Sequence, residues 1–177
     1  MITIVNEIQT ATVHVPYTDV MLRTEVPAWV FIHRDSVGPD VQSLAKFFAD
    51  NPKYTGGRFP YTFVIYPGGQ VSQCVSLKYR TADALAASRT GVSVCLLGDF
   101  RRSPPTRAQQ IAAADLCTAL LRRYPTTMLD ASHVRGHTEE SGRSKDPLKQ
   151  CPGRYLNMSL LREDIADRLQ QRQFVED

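Results

Sequence analysis

The sequence predicts an α/β fold, a mixed central β-sheet flanked by helices, in a single domain spanning residues 1–177. Three observations carry this. Short apolar and β-branched runs bounded by turn residues recur along the chain, helical patterns interleave with them, and 177 residues is one domain's length with a core large enough to need no disulfides.

The predicted strands are Ile2 to Val5, Thr12 to Val15, Trp29 to His33, Tyr61 to Tyr66, Val71 to Val75, Val92 to Leu97 and Met128 to Val134. Tyr66-Pro67-Gly68-Gly69-Gln70 is a tight connection that should fold two of these into a hairpin. The first helix follows Pro39-Asp40, with Val41, Leu44, Phe47 and Phe48 at helical spacing, and stops near Asn51-Pro52 because proline disfavours helix at the residue before it. A second starts at Pro104-Pro105-Thr106, where Thr106 can cap, presents Ile111, Ala114, Cys117, Leu120 and Leu121 on one face, and ends before Pro125. A third runs from about Asn157 to Gln171 with the stripe Met158, Leu161, Ile165 and Leu169. Glu139 to Lys149 is polar enough to be a long surface loop, and the chain has no internal repeat and no low-complexity segment.

The net charge of +3 is mildly basic and suits a polyanionic surface as well as it suits an ordinary soluble protein. With no long Lys/Arg run, no interleaving of aromatic and basic residues and no apolar stretch of membrane-spanning length, neither nucleic acid nor membrane is an expected partner. The residues Met1 to Glu7 do not read as a secretory signal, so cytoplasmic synthesis is expected, with release by lysis if the protein acts outside the cell. A monomer is expected.

Of the four cysteines, Cys74, Cys95 and Cys117 lie in apolar contexts where a free thiol behaves as a small hydrophobe. Cys151 differs, sitting in a turn between Gln150 and Pro152-Gly153. Together with His33, at the end of the Trp29 to Ile32 run, and His137, after Gly136, it offers two imidazoles and one thiolate, three of the four ligands a tetrahedral zinc ion needs. Three protein ligands leave one position open, which separates a hydrolytic site from a structural one. Each histidine alone more readily satisfies a carbonyl; the soft thiolate beside them favours zinc over magnesium or calcium. His133 competes with His137, lying four residues earlier and on the same face if the strand continues, and ranks as a supporting or surface residue; His14 alternates with apolar neighbours and should point to solvent.

In this order the motifs resemble the type 2 N-acetylmuramoyl-L-alanine amidases, the family of phage amidase lysins and peptidoglycan recognition proteins. The elements are a strand ending in His33, Pro60-Tyr61-Thr62-Phe63 leading to the Gly69 hairpin, Gly98-Asp99-Phe100, Pro105-Thr106-Arg107-Ala108-Gln109, Gly136-His137 and Cys151-Pro152-Gly153. The resemblance covers most of the chain, from about Trp29 to Leu169. It implies that His33, His137 and Cys151 bind Zn2+ and that Tyr61 and Lys149 face the metal as catalytic residues. It also implies a peptidoglycan or muropeptide substrate, cut at the amide between N-acetylmuramic acid and L-alanine. Thr62 stands where many members carry histidine, Arg80-Thr81-Ala82 where many carry an aromatic-His-Ala segment, and Val92 to Leu97 lacks the glutamate many members carry there.

Other readings stay open at this point: a non-catalytic peptidoglycan-binding module of the same fold, a zinc hydrolase cutting another peptidoglycan amide, and a structural zinc site closed by a fourth ligand such as Asp146. A lysin and a cytoplasmic muropeptide-recycling enzyme suit the chain equally.

Overall fold

The computed structural model describes residues 4–5, 21–82, 89–141 and 150–171. Six strands form one mixed sheet in the order β1-β4-β3-β5-β2-β6: β1 Ile4–Val5, β2 Trp29–Asp35, β3 Phe63–Ile65, β4 Val71–Gln73, β5 Gly91–Leu97 and β6 Val134–Gly136. Every neighbouring pair is parallel except β3 and β4, the expected hairpin. The longest strands, β2 and β5, pair in register from Trp29↔Gly91 to Asp35↔Leu97 at the centre. Their near-continuous apolar runs follow from this place, since a central parallel strand is covered on both faces.

Alternation along the strands divides the core in two. Val30, Ile32, Phe63, Ile65, Val92, Val94 and Leu96 pack under two long helices, α3 Arg107–Arg123 and α5 Met158–Gln171. On the other face Val64, Cys95 and Leu97 pack with α1, Val41–Asp50. The site residues of β2 belong to this second set by parity, His33 and Asp35 alternating with Ile32 and Arg34.

Local chemistry sets the helix ends. Asp40 caps α1, its carboxylate accepting from the Ser43 N–H at 2.8 Å, and the helix stops at Asn51 as expected, with the single turn α2, Pro52–Thr55, following. At α3 the Thr106 hydroxyl accepts from the Gln109 N–H while the Gln109 side chain accepts from the Thr106 N–H, a reciprocal capping box. The same Gln109 amide donates to the carbonyls of Ile65 (3.3 Å) and Leu97 (2.9 Å), which ties the helix start to the ends of β3 and β5. No described helix is long and apolar enough to cross a membrane.

Several expectations are corrected. The strand expected over Met128 to Val134 is largely a turn: Asp130 accepts from the Ser132 N–H at 2.7 Å, a 3-10 helix occupies Ala131–His133, and only Val134–Gly136 pairs with β2. A short polar side chain that bonds its own backbone competes with the strand ladder, and here it wins. On α3 the expected residues Ala114, Cys117, Leu120 and Leu121 are buried, but Ile111 is 39% exposed and Ala112, Ala113 and Leu116 complete the buried face in its place. The polar stretch expected as a loop begins instead in a short helix, α4 His137–Ser141; the rest of it, residues 142–149, lies outside the described residues, as does the Thr12 to Val15 strand.

Gln109→Ala removes half of the capping box, strips two strand-end carbonyls of their donor and leaves a cavity at a side chain only 1% exposed. Chemical denaturation should show a loss of about 2–4 kcal/mol, with an unchanged denaturant slope.

Candidate active site

Strand register brings the two histidines together. β2 and β6 pair with Ile32 opposite Gly136, so the next residues on each, His33 and His137, stand side by side, with ring centroids 4.6 Å apart. Cys151 arrives from the far end of the polar segment, its Sγ 3.9 Å from His33 Nδ1. One ligand atom from each of His33, His137 and Cys151 lies within 4.8 Å of the others, and among the described residues this is the one such group of His, Cys, Asp or Glu.

The loop carrying Cys151 is locked to the histidine segment. The Thr138 N–H donates to the Cys151 carbonyl (2.9 Å), and the Cys151 N–H donates to the Thr138 hydroxyl (2.6 Å). The two glycines of the motifs are close-packing positions. A Cβ on Gly136 would stand 2.9 Å from Pro152 Cδ, and Gly153, at φ +116°, lies so close to Phe100 that a Cβ would meet its carbonyl atoms at 2.7 Å. The Cys151-Pro152 bond is cis. Behind His137, Glu139 accepts from the Gly136 N–H at 2.7 Å and pairs with Arg162 of α5 at 3.0 Å, anchoring the first turn of α4.

Electrostatics favour a thiolate here. Burial pushes the Cys151 thiol up, but hydrogen bonds from His137 and His33, the His33 charge and the Arg34 backbone N–H outweigh it and hold the pKa at about 6. Two other thiols go the opposite way: burial raises Cys117 to about 12 and raises Cys95 well above the ordinary thiol value. Cys74, Cys95 and Cys117 are buried and form no disulfide, as expected of small hydrophobes.

Tyr61 enters from the segment before β3 and is 7% exposed. Its ring lies 5.4 Å from that of His33 and meets Phe48 and Phe59 edge to face at 6.0 and 5.9 Å. Its hydroxyl donates to Asp35 Oδ2 at 3.0 Å. Burial, followed by the charges of Cys95, Asp35 and Cys151, pushes its pKa well above the ordinary phenol value. Lys149 and Asp146 lie outside the described residues, as does His14.

His133 does not join the cluster. Its Nδ1 lies 2.9 Å from the Ala28 carbonyl and its ring stacks on Trp29 at 4.8 Å, because the chain turns at Ala131–His133 and carries it away from the direction His137 takes. Thr62 and Thr81 are 0% and 5% exposed, with the Thr81 hydroxyl 3.0 Å from that of Ser93, so these departures from the family pattern sit inside the sheet packing.

Three residues of the site escaped the reading of the sequence. Asp35 carried a usable signal, an acidic residue two positions after His33 and therefore on the same face of the strand. Thr138 and Glu139 carried none, since their roles depend on the return of Cys151 and on the packing of α5.

Comparison with known proteins places the chain in a family and a fold. A family model described as N-acetylmuramoyl-L-alanine amidase matches residues 22–154. Among solved structures, the Ph2119 endolysin from Thermus scotoductus MAT2119 bacteriophage Ph2119 superposes with TM-score 0.70 at 16% identity, covering 93% of this chain and 99% of that one. N-acetylmuramoyl-L-alanine amidase LysC from Clostridium intestinale URNW gives 0.67 at 15% identity, with 93% and 98% covered. Drosophila peptidoglycan recognition protein SD gives 0.70 at 17% identity, with 90% and 94% covered. No curated protein is a significant match by sequence. With most of its length matched by the family model and its fold shared with these structures, the chain belongs to the N-acetylmuramoyl-L-alanine amidase family.

Proposed function

We propose that the protein is a zinc-dependent N-acetylmuramoyl-L-alanine amidase, which hydrolyses the amide between the lactyl group of N-acetylmuramic acid and L-alanine in peptidoglycan or muropeptides. The observation that carries this is the convergence of His33, His137 and Cys151 on one point, with the thiol of Cys151 held low. Ligands of tetrahedral zinc stand about 3.3–3.6 Å from one another, so donors already within 4.8 Å close on the ion with side-chain adjustment alone. Two imidazoles and a thiolate are a donor set zinc accepts readily, and three ligands leave a position open.

Zinc in such a site supplies a water of pKa near 7 and polarises a carbonyl. The chain supplies the rest. His33 and His137 are presented as fixed ligands by β2 and by the turn after β6. Cys151 contributes the negative charge that an anionic ligand brings, and Thr138 holds it in place. Tyr61, held against His33, presents a phenolic oxygen for hydrogen bonding to the water or the reacting amide. Lys149, two residues before Cys151, would place positive charge beside the oxyanion that develops when the amide carbonyl is attacked. The family's reaction supports a peptidoglycan substrate, and a monomer that acts on the wall after lysis, or on muropeptides in the cytoplasm, remains our reading.

Digestion of purified peptidoglycan or muropeptide with mass spectrometric identification of the products tests the assignment. Wild type should release L-alanine-terminated stem peptides, and Cys151→Ser should lose zinc and activity together. Intact substrate with wild type fully loaded with zinc would overturn the hydrolytic reading in favour of binding alone, and a new amine terminus elsewhere would move the scissile bond.

Lys149→Ala should retain zinc and lower kcat on the order of 10²–10³-fold, the range of one preorganised oxyanion donor. Steady-state kinetics beside metal analysis separate this from loss of the ion.

The low thiol pKa gives a separate test. In metal-free protein, alkylation of Cys151 by iodoacetamide should rise with a midpoint near pH 6, and zinc should suppress it. A thiol lowered on folding binds fewer protons than in the unfolded chain, so its contribution to apoprotein stability is full above pH 9 and declines as pH falls toward 6.

A further inference from the structure

We propose that Asp35 is a positioning residue that sets the polarity of the Tyr61 hydroxyl, so that Tyr61 meets the attacking water as a hydrogen-bond acceptor. This rests on the amidase reading for the identity of the water. The polarity itself rests on the geometry of β2 and the segment before β3.

A carboxylate offers only acceptors. Asp35 Oδ1 receives the Val37 N–H at 2.9 Å, and Oδ2 lies 3.0 Å from the Tyr61 hydroxyl, so the tyrosine must donate for the contact to be a hydrogen bond. A phenol has one hydrogen. With that hydrogen directed at Asp35, only oxygen lone pairs are left for the cleft, and a water held there has to donate to Tyr61. Donation by Tyr61 to the oxyanion of the attacked amide is excluded by the same count.

The arrangement is built in. Asp35 is 9% exposed, and its backbone carbonyl accepts from the Gly98 N–H at 2.7 Å, which fixes the end of β2 against the loop after β5. Phe48, Phe59 and His33 surround the Tyr61 ring. The Cys95 thiol is also within hydrogen-bonding reach of the Tyr61 hydroxyl, but a neutral sulfur is a weaker acceptor than a carboxylate oxygen, and the thiol's own hydrogen is directed to the Leu96 carbonyl at 3.7 Å.

Asp35→Asn is the informative change. The asparagine oxygen can keep the Val37 N–H while its NH₂ group takes the place of Oδ2, so Tyr61 must accept there and turn its hydrogen toward the cleft. Kinetics on a muropeptide, with zinc content measured, would compare wild type, Asp35→Asn, Tyr61→Phe and the double variant. Asp35→Asn should lower kcat on the order of tenfold to a hundredfold, the value of a hydrogen bond to a charged group, at unchanged KM and zinc content. It should cause no further loss in the Tyr61→Phe background. An equal loss in both backgrounds, a loss of zinc, or wild-type activity would overturn the proposal.

A second readout is independent of turnover. The Raman doublet of Tyr61, isolated as a wild-type minus Tyr61→Phe difference, should report a donor, and the same difference in the Asp35→Asn background an acceptor. An acceptor signature in wild type would overturn the assigned polarity. A donor signature in an inert, zinc-loaded wild type would instead sink the amidase reading and, with it, the role assigned toward water.

Discussion

The parallel register of β2 against β6, with Ile32 opposite Gly136, is the constraint on which the site depends. A shift of one residue would turn His33 to the face occupied by α3 and α5 and separate it from His137, because side chains alternate faces along a strand. What holds the register is apolar. Val30 and Val134, paired across the two strands, are both fully buried in the larger core, so slipping would expose one and force a charged neighbour inward. The juxtaposition of His33 and His137 is thus enforced by hydrophobic packing on the face opposite to it.

Cys151 has no strand to position it, and its placement is achieved by contact between two short motifs. Gly136 admits Pro152, Gly153 admits Phe100, and Thr138 exchanges two hydrogen bonds with Cys151. The loop that receives Gly153 is itself pinned, since Arg101, assisted by Arg34, holds the Asp99 carboxyl down to about 2. A thiolate confined beside two imidazoles is costly to desolvate, and the hydrogen bonds from both rings and from the Arg34 N–H offset that cost. The His33, His137 and Cys151 cluster is therefore preorganised around a thiolate by the fold itself.

The sequence made the strongly periodic parts legible. The helix beginning after Asp40 and the one beginning after Thr106 announced themselves by a capping residue followed by an apolar stripe, and the central strands by long β-branched runs. Met128 to Val134 misled because its composition suits a strand, whereas the Asp130 cap, a matter of one carboxylate reaching one N–H, decided the local structure. In the site, His33, His137 and Cys151 could be read from residue type and motif order. Asp35 was visible in principle through its parity with His33, but nothing in the sequence says that a tyrosine 26 positions later will bond to it. Thr138 acts only through a loop closure, which local patterning does not encode.

The positions at which the chain departs from the family pattern also acquire a physical meaning. Thr62 and Ser93 lie below the level of His33, whose register partner is Cys95, two residues further along β5 than Ser93. Thr62 is fully buried, and its hydroxyl finds no hydrogen-bond partner among the described residues, a cost of about 1–3 kcal/mol that a well-packed sheet can carry. Side chains enclosed this way cannot meet a substrate. Selectivity must then come from segments beyond the carboxyl ends of the parallel strands, where open α/β sheets present their ligand crevices. Among the described residues those are the segment after Asp35 and the Gly98 to Ser103 loop, at the strand edge where His33 and His137 also sit.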